Sequence, residues 1–235
     1  MQFPGHKTLL LMLFCAVAIA GYSQNGDIDI LKHDAAIFRG PVKGSYPYYF
    51  TGTPYLHKAE FEKNSLRYNK KWYYNVKLNL DICRDELCVN VPNSNIIIVL
   101  DNSLVNEFTI NGRKFVNIGN SVTGTQNKLC ELIYEGICAG SIIKESVKKY
   151  NRTDNATVAF YTIEKLYILK GDNAYRIKGI RTFRKVYPHM KKEINRYVRN
   201  LDFSTNWQLY SSIMQFIDTT EAIKAEEALK GGDTL

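Results

Sequence analysis

Between Trp72 and Ile82 the chain reads WYYNVKLNLDI, eleven residues in which one face alternates with the other. Trp72, Tyr74, Val76, Leu78, Leu80 and Ile82 fall on one side, and Tyr73, Asn75, Lys77, Asn79 and Asp81 on the other. A helix returns to the same face every 3.6 residues, so a strict period of two over this length has one solution, a half-buried strand. One apolar and one polar face point to an antiparallel sheet with its core on one side.

The flanking segments extend the sheet. LRYNKKWYY supplies a preceding hairpin partner that turns near Asn69-Lys70-Lys71. NIIIVL, Asn95 to Leu100, is a short apolar run that reads as a strand buried on both faces. In FTINGRKFV, Asn111-Gly112 suits a type I′ turn, whose two central residues need positive φ. That turn sets Ile110 opposite Arg113 and Phe108 opposite Phe115. LCELIY, Glu135-Gly136 and ICAGSIIKESVKKY read as another hairpin, and EKLYILKGDNAYRIKG as one more, turning at Gly171-Asp172-Asn173. The period then changes. Met190, Ile194, Tyr197, Val198 and Leu201 share a helical face behind Pro188, and Thr205-x-x-Gln208 is a capping box ahead of Leu209, Ile213, Phe216 and Ile217.

Strands first and helices last predict an α+β fold: an antiparallel β-meander curling into a barrel or half-barrel, followed by a C-terminal pair of amphipathic helices. The expected divisions are a signal peptide over 1–23, an irregular lead-in over 24–54, the β-rich domain over 55–180, the helical pair packed on the sheet over 181–218, and a mobile tail over 219–235.

Cys83 and Cys88 are the only chemistry-bearing pair with suggestive spacing. If Ile82 opposes Val89 in a hairpin, Cys83 opposes Cys88 on the polar face. Opposed Cα atoms are then about 4.5–5.5 Å apart, within reach of a disulfide. Such a bond closes so short a loop that it contributes about 2 kcal/mol at most. Two free thiols come second. Redox catalysis is disfavoured because Asp81, Asp85 and Glu86 outnumber Arg84 around the pair. Metal binding lacks further ligands, since His33, His57 and His189 stand at no zinc-site spacing. A two-residue turn at Glu135-Gly136 would put Cys130 and Cys138 on opposite faces, as small buried side chains.

No other constellation announces catalysis. The chain has no G-x-S-x-G beside a histidine, no phosphate-cradling loop, no dinucleotide fingerprint and no H-E-x-x-H. No catalytic residue, metal ligand or cofactor is therefore assigned. Carboxylates such as Asp81, Asp85, Glu86, Asp101 and Glu107 fit solvated turns better than a hydrolase pair. The aromatics of YPYYF and KKWYYN could stack on sugars. Alternation puts Trp72 and Tyr74 in the core, however, and leaves only Tyr73 free. Charge is more informative: Lys and Arg total 31 against 23 Asp and Glu. Lys191, Lys192 and Arg199 line up with Asn195 opposite the apolar face of their helix, as a solvated face or an anion-binding one.

The N-terminus reads as an export signal: Lys7, then an apolar run from Leu9 to Ala20, shorter than the ~20 residues of a membrane span. Cleavage after Ala20 or Ser23 would leave a net charge of about +7. Taken together, GTPYL, YNKKWYYNVKLNLDICRDELCV, GRKFV, LCELIYEG and AYRIKGIRTF…MKKEINRYVRN resemble an uncharacterised group of exported, β-rich proteins from Bacteroidetes-type bacteria. The resemblance spans roughly Gly52 to Ile217 and departs at Cys83 and Cys88. It implies a periplasmic or outer-membrane-associated protein and carries over no catalytic residue. The expectation is a non-enzymatic envelope module for binding or assembly, with an envelope protein or an anionic glycan or lipid as partner. Nucleic acid is a poor fit for an exported chain. A carrier of an apolar ligand in the curled sheet stands second, and a carboxylate hydrolase third.

Overall fold

The computed structural model describes residues 36–119, 128–152, 157–199, 201 and 205–231. The expected signal peptide and cleavage sites lie outside the described residues. Eleven strands form one sheet: β1 Phe50–Thr51, β2 Glu62–Tyr68, β3 Lys71–Asp81, β4 Glu86–Asn90, β5 Ile97–Val99, β6 Val105–Ile110, β7 Arg113–Asn117, β8 Leu129–Glu135, β9 Ser141–Arg152, β10 Val158–Lys170 and β11 Asn173–Arg176. Three helices follow, α1 Ile180–Val186, α2 Lys191–Arg199 and α3 Asn206–Gly231, with a 3₁₀ turn over Pro188–Met190.

The strand order is β1-β10-β9-β8-β7-β6-β2-β3-β4-β5, with β11 also on β10. This corrects the single meander expected from sequence. Two meanders, β2 to β5 and β6 to β11, are joined because β6 pairs with β2 rather than β5. Leu66 opposite Phe108 and Tyr68 opposite Val105 are the apolar pairs at that seam. The sheet is open, since no ladder joins β5 to β1. It nonetheless curls far enough for the Lys148 N–H of β9 to reach the Ile82 carbonyl beyond β3 at 3.0 Å.

The turns with local signals form as read. Asn69 and Lys70 take φ of 48° and 66°, and Asn111 and Gly112 take 52° and 72°. Phe108 pairs with Phe115, their rings stacked at 5.0 Å, an arrangement worth about 0.5–1.5 kcal/mol beyond burial. Thr205 Oγ1 meets Gln208 Oε1 at 2.7 Å ahead of α3. That helix runs to Gly231, past the boundary expected at residue 218.

Three readings need correction. The alternation of β3 breaks at Asn75, which sits at φ 57° in a bulge opposite Ser65. The extra residue exchanges the faces upstream: Tyr73 is buried at 6% exposure and Trp72 lies out at 37%. Second, NIIIVL yields only the three-residue edge strand β5, with Ile98 buried and Ile96 exposed. Its outer edge is occupied by the N-terminal segment, Lys43 N–H donating to Ile97 and Val99 N–H to Pro41. Third, Glu135-Gly136 is no two-residue turn. Glu135 pairs with Ser141, and residues 136–140 form a loop around the carboxylate of Asp218 from α3. The N–H groups of Ile137, Cys138 and Ala139 donate to it at 3.1, 2.6 and 2.7 Å. Burial alone would raise this carboxyl, but those N–H groups and the Tyr134 hydroxyl hold it below its usual value. Gly140 closes the loop at φ 101°, where a Cβ would fall 2.1 Å from the Leu169 carbonyl oxygen.

The interior is filled by two apolar clusters. Leu66, Tyr73, Val76, Leu78, Leu80, Leu87, Val89, Phe108 and Phe115 close the first, with Ile37 from the lead-in. In the second, α1 to α3 lay Phe183, Tyr187, Ile194, Ile213, Met214 and Ile217 against Ile142 and Ile168. Asn75 is the residue on which the β3 phase turns. Asn75→Val should destabilise by about 1–2 kcal/mol in urea unfolding, the cost of a side chain with Cβ branching in the left-handed region, while Asn75→Gly should be nearly neutral. Equal tolerance of Val and Gly would show that the bulge does not set the register.

Candidate functional site

The polar face of the β3–β4 hairpin is not solvated. The lead-in crosses it, and its residues converge on Asp81, which is fully buried. Lys43 Nζ donates to Asp81 at 2.7 Å and to Glu86, its cross-strand neighbour, at 2.8 Å. The Tyr46 hydroxyl donates to Asp81 at 2.7 Å, and the N–H groups of Cys83 and Arg84 donate at 2.9 and 3.1 Å. Arg84 then returns to the lead-in, binding the carbonyls of Gly44 and Ser45 and lying over the Tyr46 ring at 4.1 Å from its centre. Burial works against the Lys43 charge, yet the hydrogen bonds to Asp81 and Glu86 hold its pKa well above the ordinary value. Burial, then the Asp81 hydrogen bond, pushes the Tyr46 phenol up, and burial pushes Tyr55 up to about 12.

The cysteines sit beside this cluster with a register different from the one expected. Asp81 pairs with Glu86 and Asn79 with Cys88, four residues from the Ile82–Val89 alignment, so Cys83 lies in the connecting turn. Both thiols are free. The hairpin closes earlier because Asp81 can cap the turn by accepting from Cys83 and Arg84. Burial pushes the Cys88 and Cys130 thiols up to about 12 and raises Cys83 as well, so none is an activated nucleophile. Cys130 is buried; Cys138 is exposed in the Asp218 loop, not buried as expected.

What the anchored lead-in displays is aromatic. Tyr46, Tyr48 and Phe50 pack with Tyr150 of β9 and Phe160 of β10, at centroid distances of 5.2 to 6.2 Å. Tyr49 is 89% exposed, Tyr150 45% and Phe50 38%. YPYYF therefore forms a surface cluster, a placement hidden in the sequence because its partners lie a hundred residues away.

Other titratable groups are engaged with one another. Glu131 is shared by Arg113 and Lys144 at 3.1 and 3.0 Å, and Glu145 by Lys128 and Lys165 at 3.0 and 3.2 Å. Arg113 also reaches His57, and burial followed by this neighbouring cation lowers the His57 pKa. Among the described residues no group of three His, Cys, Asp or Glu side chains is placed to hold a metal.

The helical candidates are accessible. Lys191, Lys192, Arg196 and Arg199 are all exposed, opposite the buried Met190 and Ile194. Among the described residues none of the four is paired with a carboxylate. Lys192, Arg196 and Arg199 recur at helical spacing, a stripe in which the sequence reading omitted Arg196. Beside it a cleft of about 420 Å³ opens between α2 and α3, lined by Glu193, Arg196, Tyr197, Leu201 and Phe216. No family model, curated protein or solved structure matches the chain.

Two outcomes check this geometry. Asp81→Ala should cost about 3–5 kcal/mol, because it leaves buried Lys43 with Glu86 as its one carboxylate and takes the acceptor from the Tyr46 hydroxyl and the Cys83 and Arg84 N–H groups, and should release the lead-in to proteolysis before global unfolding. A loss below 1 kcal/mol would show the cluster is not an anchor. Iodoacetamide should label Cys138 first in the native protein. After unfolding without reductant, Cys83 and Cys88 should both carry label; labelling that requires reductant would restore the disulfide.

Proposed function

We propose that this chain is an exported, non-enzymatic module of the cell envelope that docks on a phosphate-bearing polyanionic surface through α2. The observation that carries the reading is the exposed stripe of cations, Lys191, Lys192, Arg196 and Arg199, unpaired among the described residues, on a helix whose other face is anchored in the core. A solvated face with that much charge of one sign attracts anions without any pocket. Arg196 and Arg199 also complement the negative end of the α2 dipole, which stabilises the helix but occupies only its last turn.

Export is supported by the apolar run Leu9–Ala20 and by the resemblance to Bacteroidetes-type exported proteins. Among the described residues no helix is long and apolar enough to cross a membrane. The curl that brings Lys148 to Ile82 supports a half-barrel reading of the open sheet. Its concave side is occupied by Phe108, Phe115, Leu66 and their neighbours, which weighs against an apolar ligand held inside the sheet. The 420 Å³ cleft is lined by helical and interhelical residues alone. A carboxylate hydrolase is disfavoured because Asp81 and Glu86 both bind Lys43, and Asp81 has no solvent contact.

The test is sedimentation with anionic phospholipid vesicles at low salt. Each cation near such a surface contributes about 1 kcal/mol, so Lys191→Glu, Lys192→Glu and Arg199→Glu together should lower partitioning at least about a hundredfold. Added salt should weaken the wild type. Competition by a soluble phosphorylated glycan would assign the surface to glycan, and its failure to lipid. Unchanged sedimentation of the triple variant would retire the reading.

A further inference from the structure

The bulge at Asn75 decides which side chains of β3 reach the outer face of the sheet. β2 carries no extra residue, and its buried Leu66 faces buried Tyr73. The period of two therefore puts Lys63, Ser65 and Arg67 on the opposite, outer face. Their partners share it: Lys77 stands opposite Lys63, and Trp72 opposite Arg67, with Tyr74 two positions along from Trp72. An unbroken β3 that kept Lys77 outside would show Tyr73 there and turn Trp72 and Tyr74 to the core side with Val76. The bulge thus exchanges one outward tyrosine for a tryptophan and a tyrosine together. Re-aiming side chains at a site is a recurrent use of such bulges.

Trp72 is 37% exposed, and its ring lies nearly parallel to that of Tyr74, the planes 10° apart and the centres at 5.9 Å. Arg67 stands 6.0 Å from the centre of the Trp72 ring and donates to Glu107 at 3.2 Å, so it positions the ring with its own charge already met. The lysines differ. Lys63 and Lys77 are exposed and directly opposed across β2 and β3. Among the described residues neither is paired with a carboxylate. Like charges placed opposite one another on a sheet repel and cost stability. From Lys63 to Arg67 along β2 is about 13 Å at ~3.3 Å per residue, so the rings and the opposed cations lie within reach of one short oligomer.

We infer that the outer face of β2 and β3 binds an acidic oligosaccharide, a uronate-bearing glycan whose sugar ring lies on Trp72 and Tyr74 while its carboxylates meet Lys63 and Lys77. A pyranose offers C–H groups to the electron-rich ring faces, and a uronate adds the negative charge that relieves the opposed lysines. The rings select for a sugar, and the lysines select an acidic sugar over a neutral one. Unpaired bases would also stack on such rings. The apolar export run Leu9–Ala20 favours a glycan over nucleic acid. The site is built from β2 and β3, shares no residue with α2 and does not rest on the docking role of that helix.

Equilibrium dialysis against labelled oligogalacturonate and oligoalginate tests it. The parent is the full chain carrying Lys191→Glu, Lys192→Glu and Arg199→Glu, so that α2 contributes no binding. At least one of the two uronates should bind saturably, and more weakly as salt is added. Trp72→Ala and Lys63→Gln/Lys77→Gln should each weaken that binding at least about tenfold, and a neutral oligosaccharide of cellulose should bind the parent at least about tenfold more weakly than the uronate. The double lysine variant should unfold at or above the temperature of its parent, because it removes a repulsion, so its lost binding is not lost folding. Absence of saturable binding for both uronates, or undiminished binding by Trp72→Ala, overturns the inference. Tighter binding of an oligothymidylate than of either uronate assigns the face to nucleic acid and overturns it as well.

Discussion

A carboxylate with no solvent contact must be neutralised and hydrogen-bonded, and Asp81 meets both demands with groups drawn from two parts of the chain. Lys43 and Tyr46 come from the lead-in, and the N–H groups of Cys83 and Arg84 from the turn that Asp81 itself caps. One side chain thus closes the β3–β4 hairpin and holds the lead-in across it. The register of the cysteines, the covering of β5 by Pro41–Lys43 and the display of Tyr48, Tyr49 and Phe50 all follow from that position. Without Asp81 the lead-in would retain its backbone bonds to β5, Arg84 and a few apolar contacts around Ile37, while Lys43 would remain buried beside Glu86 alone.

Asp218 plays the matching part at the helical end. Three consecutive N–H groups of the β8–β9 loop are aimed at its carboxylate, so α3 is fastened to the sheet by directional bonds as well as by Ile213, Met214 and Ile217. Apolar packing alone would tolerate sliding of a helix along its axis. A carboxylate seated in three N–H groups does not, because a shift of one residue would break three charge-assisted hydrogen bonds at once, the one from buried Ala139 among them. The two anchors are alike in logic: an acidic side chain from one element completes a turn belonging to another, or to itself, where the backbone has more donors than acceptors.

This explains which parts of the fold were legible in the sequence. Asn69-Lys70, Asn111-Gly112, Gly171-Asp172 and Thr205-x-x-Gln208 are solved by residues within four positions of one another, and each forms where local chemistry puts it. The failures share a different origin. The Glu135-Gly136 turn yields to Asp218, more than eighty residues away, and the Cys83–Cys88 alignment yields to Asp81, whose burial depends on Lys43. Asn75 is the intermediate case: Asn tolerates positive φ, yet an unbroken alternation offered no reason to place a bulge there. Of the candidate surfaces, Lys191, Lys192 and Arg199 could be found from helical period alone. The ring cluster could not, because it joins Tyr46–Phe50 to Tyr150 and Phe160 through the curl of the sheet.

The same distinction bears on what the molecule can do. Its buried charges, Asp81, Glu131 and Glu145, are each satisfied by two or more partners, and its buried thiols are held in the neutral form. Buried atoms without a partner include Arg67 Nε, Asn102 Oδ1, Arg184 Nε and Ser211 Oγ, while at the surface the cations of α2 and the exposed rings of Tyr49 and Tyr150 are left over among the described residues. The interior thus commits most of its charged groups to holding elements together, and the exposed cations and rings are the groups that, among the described residues, the fold does not use.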